Sequence, residues 1–192
     1  MTAQISDHII YKEEIYNLTG YTEEIPFLVE SFGLDPVGNN TACYRGFQRT
    51  FIIESNKLLI QGLDINTKKD NFKNSDLPDI YGVKPNTKVK RPKSLFFNTE
   101  YKDLNYLINY SGSLLIGKGF IRNLYVHMGF HPAWKYEKVI ELTFKNGILT
   151  KSENLSLKMS KVREELMDNE NQMKNNKTDD WIESTFNQKY KK

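Results

Sequence analysis

The sequence predicts a mainly β, α+β fold: an antiparallel β-sheet, arranged as a sandwich or a partly open barrel, with one or two C-terminal helices. Three observations predict it. Residues 41–64 are rich in β-branched and aromatic side chains, which suit a pleated, half-buried surface. Residues 136–144 set Val139, Glu141 and Thr143 against Ile140, Leu142 and Phe144, an alternation that gives a strand one buried and one wet face. After Lys151 the period changes: Leu155, Met159, Val162 and Leu166 recur on one face of a helix. A β-rich domain over 1–150 and a helical extension over 151–192 follow.

In chain order, His8-Ile9-Ile10-Tyr11-Lys12 and Glu13-Glu14-Ile15-Tyr16-Asn17-Leu18 read as a tight hairpin. Residues 25–29 are apolar but contain Pro26, which demotes them to an edge strand or loop. Residues 35–40 form a turn cluster of Asp, Pro, Gly and Asn. Strands are expected over 41–54 and 57–64, joined through Ser55-Asn56 in a two-residue turn. Phe51 and Ile53 should share one face and Ile52 the other. Residues 66–93 carry interspersed lysines with Pro78, Pro85 and Pro92, and read as a long Lys-rich loop.

Order should resume at Ser94-Leu95-Phe96-Phe97, and 101–110 fits helix or strand equally. Leu114-Leu115-Ile116 and Tyr125-Val126-His127-Met128 read as strands, with Gly117-Lys118-Gly119 a turn between them. Asn146-Gly147 is the strongest hairpin signal in the chain. Ser156 or Ser160 could cap the first helix. Residues 168–177 read as a polar linker. A second helix is expected over 179–190, capped by Thr178, with Ile182, Phe186 and Tyr190 on one face.

Composition bounds the function. The 192 residues are 39% hydrophobic, 27% charged and 12% aromatic, and carry a net charge of +3. That charge is too small to argue for nucleic acid, which is not expected as a partner. No apolar run approaches the roughly 20 residues of a membrane span. With no basic-then-apolar leader at the N-terminus, a cytoplasmic location is expected and no membrane partner. The single cysteine, Cys43, allows no intrachain disulfide.

Candidate chemistry is sparse. His127 and His131 are four apart, but Gly129 and Pro132 argue against a helix between them, and no further ligands accompany them. No metal and no cofactor are therefore expected. Cys43 beside Arg45 could be an activated thiolate, although a lone cysteine on an aromatic strand is more often a small buried hydrophobe. An arginine at position 45, near the middle of a sheet, needs a carboxylate. Glu54, Glu141 or a ligand could supply it. Arg45, His127 and His131 stand as candidate ligand or partner contacts, and no catalytic residue is assigned.

Two separated segments carry a resemblance. Thr41-Ala42-Cys43-Tyr44-Arg45-Gly46-Phe47 and Tyr125-Val126-His127-Met128-Gly129-Phe130, with Tyr110-Ser111-Gly112-Ser113-Leu114-Leu115-Ile116 between, resemble a family of uncharacterised small bacterial proteins. Its motifs are T-A-C-(W/Y)-R-G-(Y/F) and Y-V-H-M-G-(F/Y). The resemblance covers about residues 8–150. Tyr44 and Phe51 stand where relatives carry tryptophan, and 66–93 is longer here. The resemblance implies a shared β-rich fold and no catalytic residues. Proteins of this kind often sit beside bacterial toxins as immunity proteins. The expected function is accordingly a non-catalytic cytoplasmic binding protein, an immunity protein that occludes the active site of a cognate toxin. The alternative is a small enzyme or ligand-binding protein with a pocket around Cys43, Arg45 and His127. The oligomeric state is left open.

Overall fold

The first hairpin sets the sheet going. β1 (His8–Tyr11) and β2 (Glu14–Tyr21) pair antiparallel through Lys12 and Glu13, both at positive φ. That geometry matches the right-handed twist of the flanking strands. The computed structural model describes residues 2–67, 77–87, 97–170 and 188–190.

β3 (Phe47–Glu54) and β4 (Lys57–Ile65) form the second hairpin. It turns at Ser55 and Asn56, at φ 47° and 61°. Phe51 is buried in the core and Ile53 packs against it, on the shared face their spacing predicts. β5 (Thr99–Tyr101) and β6 (Tyr106–Leu107) both pair with β4, so 101–110 resolves into short strand pieces. β7 (Gly112–Phe120) pairs with β2 and with β8 (Tyr136–Lys145). β9 (Ile148–Asn154) returns from Asn146-Gly147.

Around the sheet the order is β3-β1-β2-β7-β8-β9-β4-β5, and β3 also pairs β4. The sheet thus closes into a ring. The closing β4–β9 contact is narrow: Lys57 opposes Ile148, and the Leu58 and Leu149 amides donate to Gly147 and Asn56 carbonyls. All pairs are antiparallel except β1–β3, which is parallel.

The strand period divides the core into two faces. Leu114, Ile116, Leu142 and Phe144 join the main cluster with Ile9, Leu18, Phe51 and Ile60. Leu115 and Val139 face the other way, into a smaller cluster with Tyr136 and Ala133. α1 (Ser156–Glu170) covers that second cluster through Met159, together with Leu155 just before its first turn. Arg163 fixes the helix by donating to the Trp134 and Tyr136 carbonyls, at 2.8 and 3.0 Å.

Several expectations change. Residues 41–46 are a run of tight turns, and the strand starts at Phe47: the Cys43 amide donates to the Asn40 carbonyl and the Gly46 amide to that of Cys43. Gly117-Lys118-Gly119 lies inside β7, paired with β8, and is not a turn. Tyr125-Val126-His127-Met128 is loop: the Tyr125 ring meets Phe120 of β7 edge-on at 6.3 Å, and the following Gly129 bridges Ala3 of the N-terminal segment. Ser156 is the first helical residue. Its hydroxyl accepts from the Val139 amide, tying the helix start to β8, and Ser160 lies within the helix. Residues 151–154 belong to β9, so the extension begins later than expected. Of the second helix expected over 179–190 only residues 188–190 are described, and there Lys189 and Tyr190 run extended beside Tyr21. Residues 171–187, which hold the expected cap Thr178, Ile182, Phe186 and most of the predicted linker, lie outside the described residues, while 168–170 belong to α1. Also outside them are 68–76 and 88–93 of the long loop, and 94–96, where order was expected to resume.

Candidate functional site

The turn run 41–46 exists to place Arg45. Asn40 Oδ1 accepts from the Ala42 amide at 2.7 Å, and the Ile5 amide donates to the Ala42 carbonyl at 2.8 Å. These bonds hold the turn against the N-terminal segment, where Asp7 is fully buried. The Asp7 carboxylate accepts four hydrogen bonds from two arginines and makes a further ion-pair contact with Arg49. Arg45 donates through Nη2 at 2.6 Å and Nη1 at 3.2 Å. Arg49 donates through its amide at 2.8 Å and Nε at 2.9 Å, and its Nη2 lies 2.7 Å from Oδ2 as an ion pair. Burial would raise the Asp7 pKa, but Arg49, Arg45 and the Arg49 amide together hold it below the usual carboxylate range.

Arg45 therefore has a structural partner, and it is neither Glu54 nor Glu141. Its guanidinium also lies over Phe47 at 4.9 Å and Phe130 at 5.6 Å. Phe130 ends the second resembling segment, and the Gln4 amide donates to the Gly129 carbonyl at 2.7 Å. Both resembling segments thus meet on residues 3–7. Cys43 is buried there too, its thiol donating to the Phe47 carbonyl at 3.3 Å. Burial raises the thiol pKa against the pull of Arg45, so the thiol is protonated at neutral pH and not activated.

The other two candidates sit elsewhere. His127 is exposed in its loop, with its ring against Tyr125 at 4.8 Å. His131 is half-buried between Phe120 and Tyr125. Burial, helped by Lys135, pushes its pKa down to about 4. Its Nε2 is buried without a hydrogen-bond partner among the described residues. Cys43, Arg45 and His127 do not line either of the two cavities beside His131. One, of about 380 Å³, is largely apolar and bounded by Met128, Phe130, Trp134 and Leu166. The other, of about 320 Å³, runs along the N-terminal segment and β1. Among the described residues, no three of His, Cys, Asp and Glu are grouped to hold a metal ion.

A third feature is on the surface. Ile80 is fully buried and exchanges backbone hydrogen bonds with Val83, which leaves Tyr81 and Gly82 at the tip of a turn. Tyr81 takes φ 49° and Gly82 φ 80°. The Tyr81 ring stacks on Tyr106 at 3.5 Å and meets Phe32 edge-on at 5.2 Å. Tyr81, Tyr106 and Leu107 are all exposed, at 40%, 47% and 40%. Asp7 and Tyr81 were both missed by sequence reasoning. The signals that could have found them were an aspartate directly before the His8-to-Tyr11 strand in a chain with two arginines four apart at 45 and 49, and a Tyr-Gly pair between Ile80 and Val83. Among the described residues no helix is long and apolar enough to cross a membrane. Comparison with family models, with curated proteins and with solved structures finds no match for this chain.

Proposed function

We propose that this chain is a non-catalytic cytoplasmic binding protein, an immunity protein that neutralises a cognate bacterial toxin by covering its active site, and that Tyr81 and Tyr106 anchor the contact. The observation that carries this reading is the conformation of Tyr81. A left-handed backbone suits Gly, Asn or Asp, and a bulky side chain there costs about 1–3 kcal/mol. The sequence nevertheless places tyrosine at that turn, with its ring stacked on a second exposed tyrosine. Strain of this kind persists where the side chain is used. Tyrosine gives large contact area with only two χ angles to fix, and it is enriched at interface hot spots. Phe32 and Leu107 extend the apolar surface on either side.

Tyr81→Asn separates function from folding. Asparagine relieves about 1 kcal/mol of backbone strain. Losing the aromatic stack costs about 0.5–1.5 kcal/mol. The variant should melt within a few degrees of the parent. The test is co-expression with the toxin encoded beside this chain's gene, scored as survival. The parent should protect and Tyr81→Asn should not. Absence of a toxin gene there, or full protection by the variant, would contradict the reading.

A further inference from the structure

One strand of the ring is left with an open edge. β9 meets β4 only at its first residues: Ile148 lies opposite Lys57, and the Leu149 amide donates to the Asn56 carbonyl at 2.7 Å. Further along, β4 pairs with β6 through Leu59 and Ile60 and with β5 through Leu63, Asp64 and Ile65, so its own edge is taken. The other edge of β9 is filled by β8. The Leu155 amide donates to the Val139 carbonyl at 2.9 Å, which marks that pair as hydrogen-bonded. Bonded and non-bonded pairs alternate along an antiparallel ladder. Glu153 and Lys151 therefore direct their backbone groups at Glu141 and Thr143, whereas Ser152 and Asn154 turn theirs away from β8. Among the described residues those outward groups have no backbone partner. Lys151, Ser152 and Asn154 are exposed, the register is regular over 151–154, and no proline interrupts it.

We propose that β9 is a homodimer edge, to which a second copy of this chain adds its own β9 antiparallel about a two-fold axis through Ser152. An unpaired edge is a template for another strand. A two-fold contact must be self-complementary, and the sequence of β9 is. With the two Ser152 residues opposite each other, each Lys151 faces the Glu153 of the second copy and each Thr150 faces its Asn154. The central Ser152 pair exchanges two hydrogen bonds, because both backbones point outward there. The flanking Lys151–Glu153 pairs are then of the non-bonded kind, whose side chains stand closest and gain most from opposite charge. Within one chain the same two side chains already pair along the strand, so each charge keeps a partner of opposite sign on docking. Charge also fixes the register. The neighbouring registers that keep outward backbone groups paired set Lys151 against Lys151 or Glu153 against Glu153, both unfavourable. The proposal goes beyond the toxin contact, and its test uses no toxin.

The experiment is sedimentation velocity of the full chain in a concentration series up to about 1 mM, a range that reveals even a weak dimer. A monomer–dimer equilibrium is expected. Ser152→Pro removes an outward N–H and takes no backbone bond from β8, so it should hold the protein monomeric with its circular dichroism spectrum kept. Lys151→Glu and Glu153→Lys each set like charges opposite one another twice, and each should weaken dimerisation about tenfold. The double swap, Lys151→Glu with Glu153→Lys, rebuilds both pairs in reverse and should restore the parent's dimer. A strand that the single changes had merely destabilised would not recover in this way. Should Ser152→Pro fail to fold, the charge series gives the answer alone. A parent that stays monomeric, an assembly larger than two, a folded Ser152→Pro that still dimerises, a dimer untouched by the single reversals, or one that the swap fails to restore would overturn the proposal.

Discussion

Asp7→Ala should be the most destabilising single substitution in this chain, costing about 3–5 kcal/mol or preventing folding outright. The carboxylate is fully buried, and the two arginine side chains it holds are only 16% and 12% exposed. Removing it leaves two cations close together, largely out of water and without their shared anion. Arg45→Ala should cost less, about 3 kcal/mol at most, because Asp7 keeps its bonds to Arg49. The order of the two melts tests the assignment of the cluster, and equal melts would contradict it. The cluster also sets an acid limit. Because the folded pKa of Asp7 is depressed, its contribution is complete above the unfolded value of 3.8 and is lost as pH falls through the folded value. Stability should therefore fall below about pH 4, and Asp7→Asn, if it folds, should show a flatter acid limb.

Gly46→Ala is expected to have the second-largest effect. Gly46 and Gly33 both take φ 75°, which costs a residue with a Cβ about 1–2 kcal/mol. They differ in their surroundings. A Cβ on Gly33 would meet nothing within 4 Å, whereas one on Gly46 would sit 2.6 Å from the Val37 carbonyl carbon and 2.7 Å from its nitrogen and oxygen. Those are backbone atoms, and the Val37 amide is held to the Asn66 carbonyl at 2.9 Å, so they cannot move cheaply. Overpacking adds about 1–3 kcal/mol. Denaturant melts should place Gly46→Ala well below Gly33→Ala. Equal losses would mean that conformation alone matters and the Val37 crossing does not.

How far the fold could be read from the sequence follows from range. The turns at Lys12-Glu13, Ser55-Asn56 and Asn146-Gly147 were legible because a two-residue hairpin is specified by its own residues and the alternation beside them. The helix over 156–170 was legible from its period, and the β-dominant class from composition. Pairings between distant strands were not. The parallel β1–β3 contact and the β4–β9 closure depend on segments whose periodicity is indifferent to the neighbour they choose. Local composition misled where a turn is built from strand-like residues. Residues 41–46 contain Thr, Cys and Tyr, yet hydrogen bonds to Asn40 and to the N-terminal segment outweigh that preference. The glycines at 117 and 119 misled in the other direction. Gly117 sits in a strand because the Tyr136 ring of β8 occupies the space of its missing side chain, 2.6 Å from where a Cβ would be.

The candidate site was legible only in part. Arg45 was correctly read as needing a buried carboxylate, but the partner came from residue 7, in a stretch that reads as an unremarkable N-terminus. His131 was singled out for its spacing from His127, and its cavity arises from Phe120, Gln48 and the N-terminal segment, which no local pattern links. Tyr81 lay within a loop whose lysines dominated the reading. Its importance rests on a backbone angle and a stacked ring, neither of which a sequence displays.

On the proposed function, the buried arginine cluster builds the fold and the exposed tyrosines carry the toxin contact. One paired measurement tests it most directly: thermal melts and toxin-protection assays on Arg45→Ala and Tyr81→Asn side by side. The account predicts that Arg45→Ala melts lower and still protects below its melting temperature, whereas Tyr81→Asn melts like the parent and fails to protect. The reverse pattern, a stable Arg45→Ala that cannot protect beside a fully protective Tyr81→Asn, would contradict it.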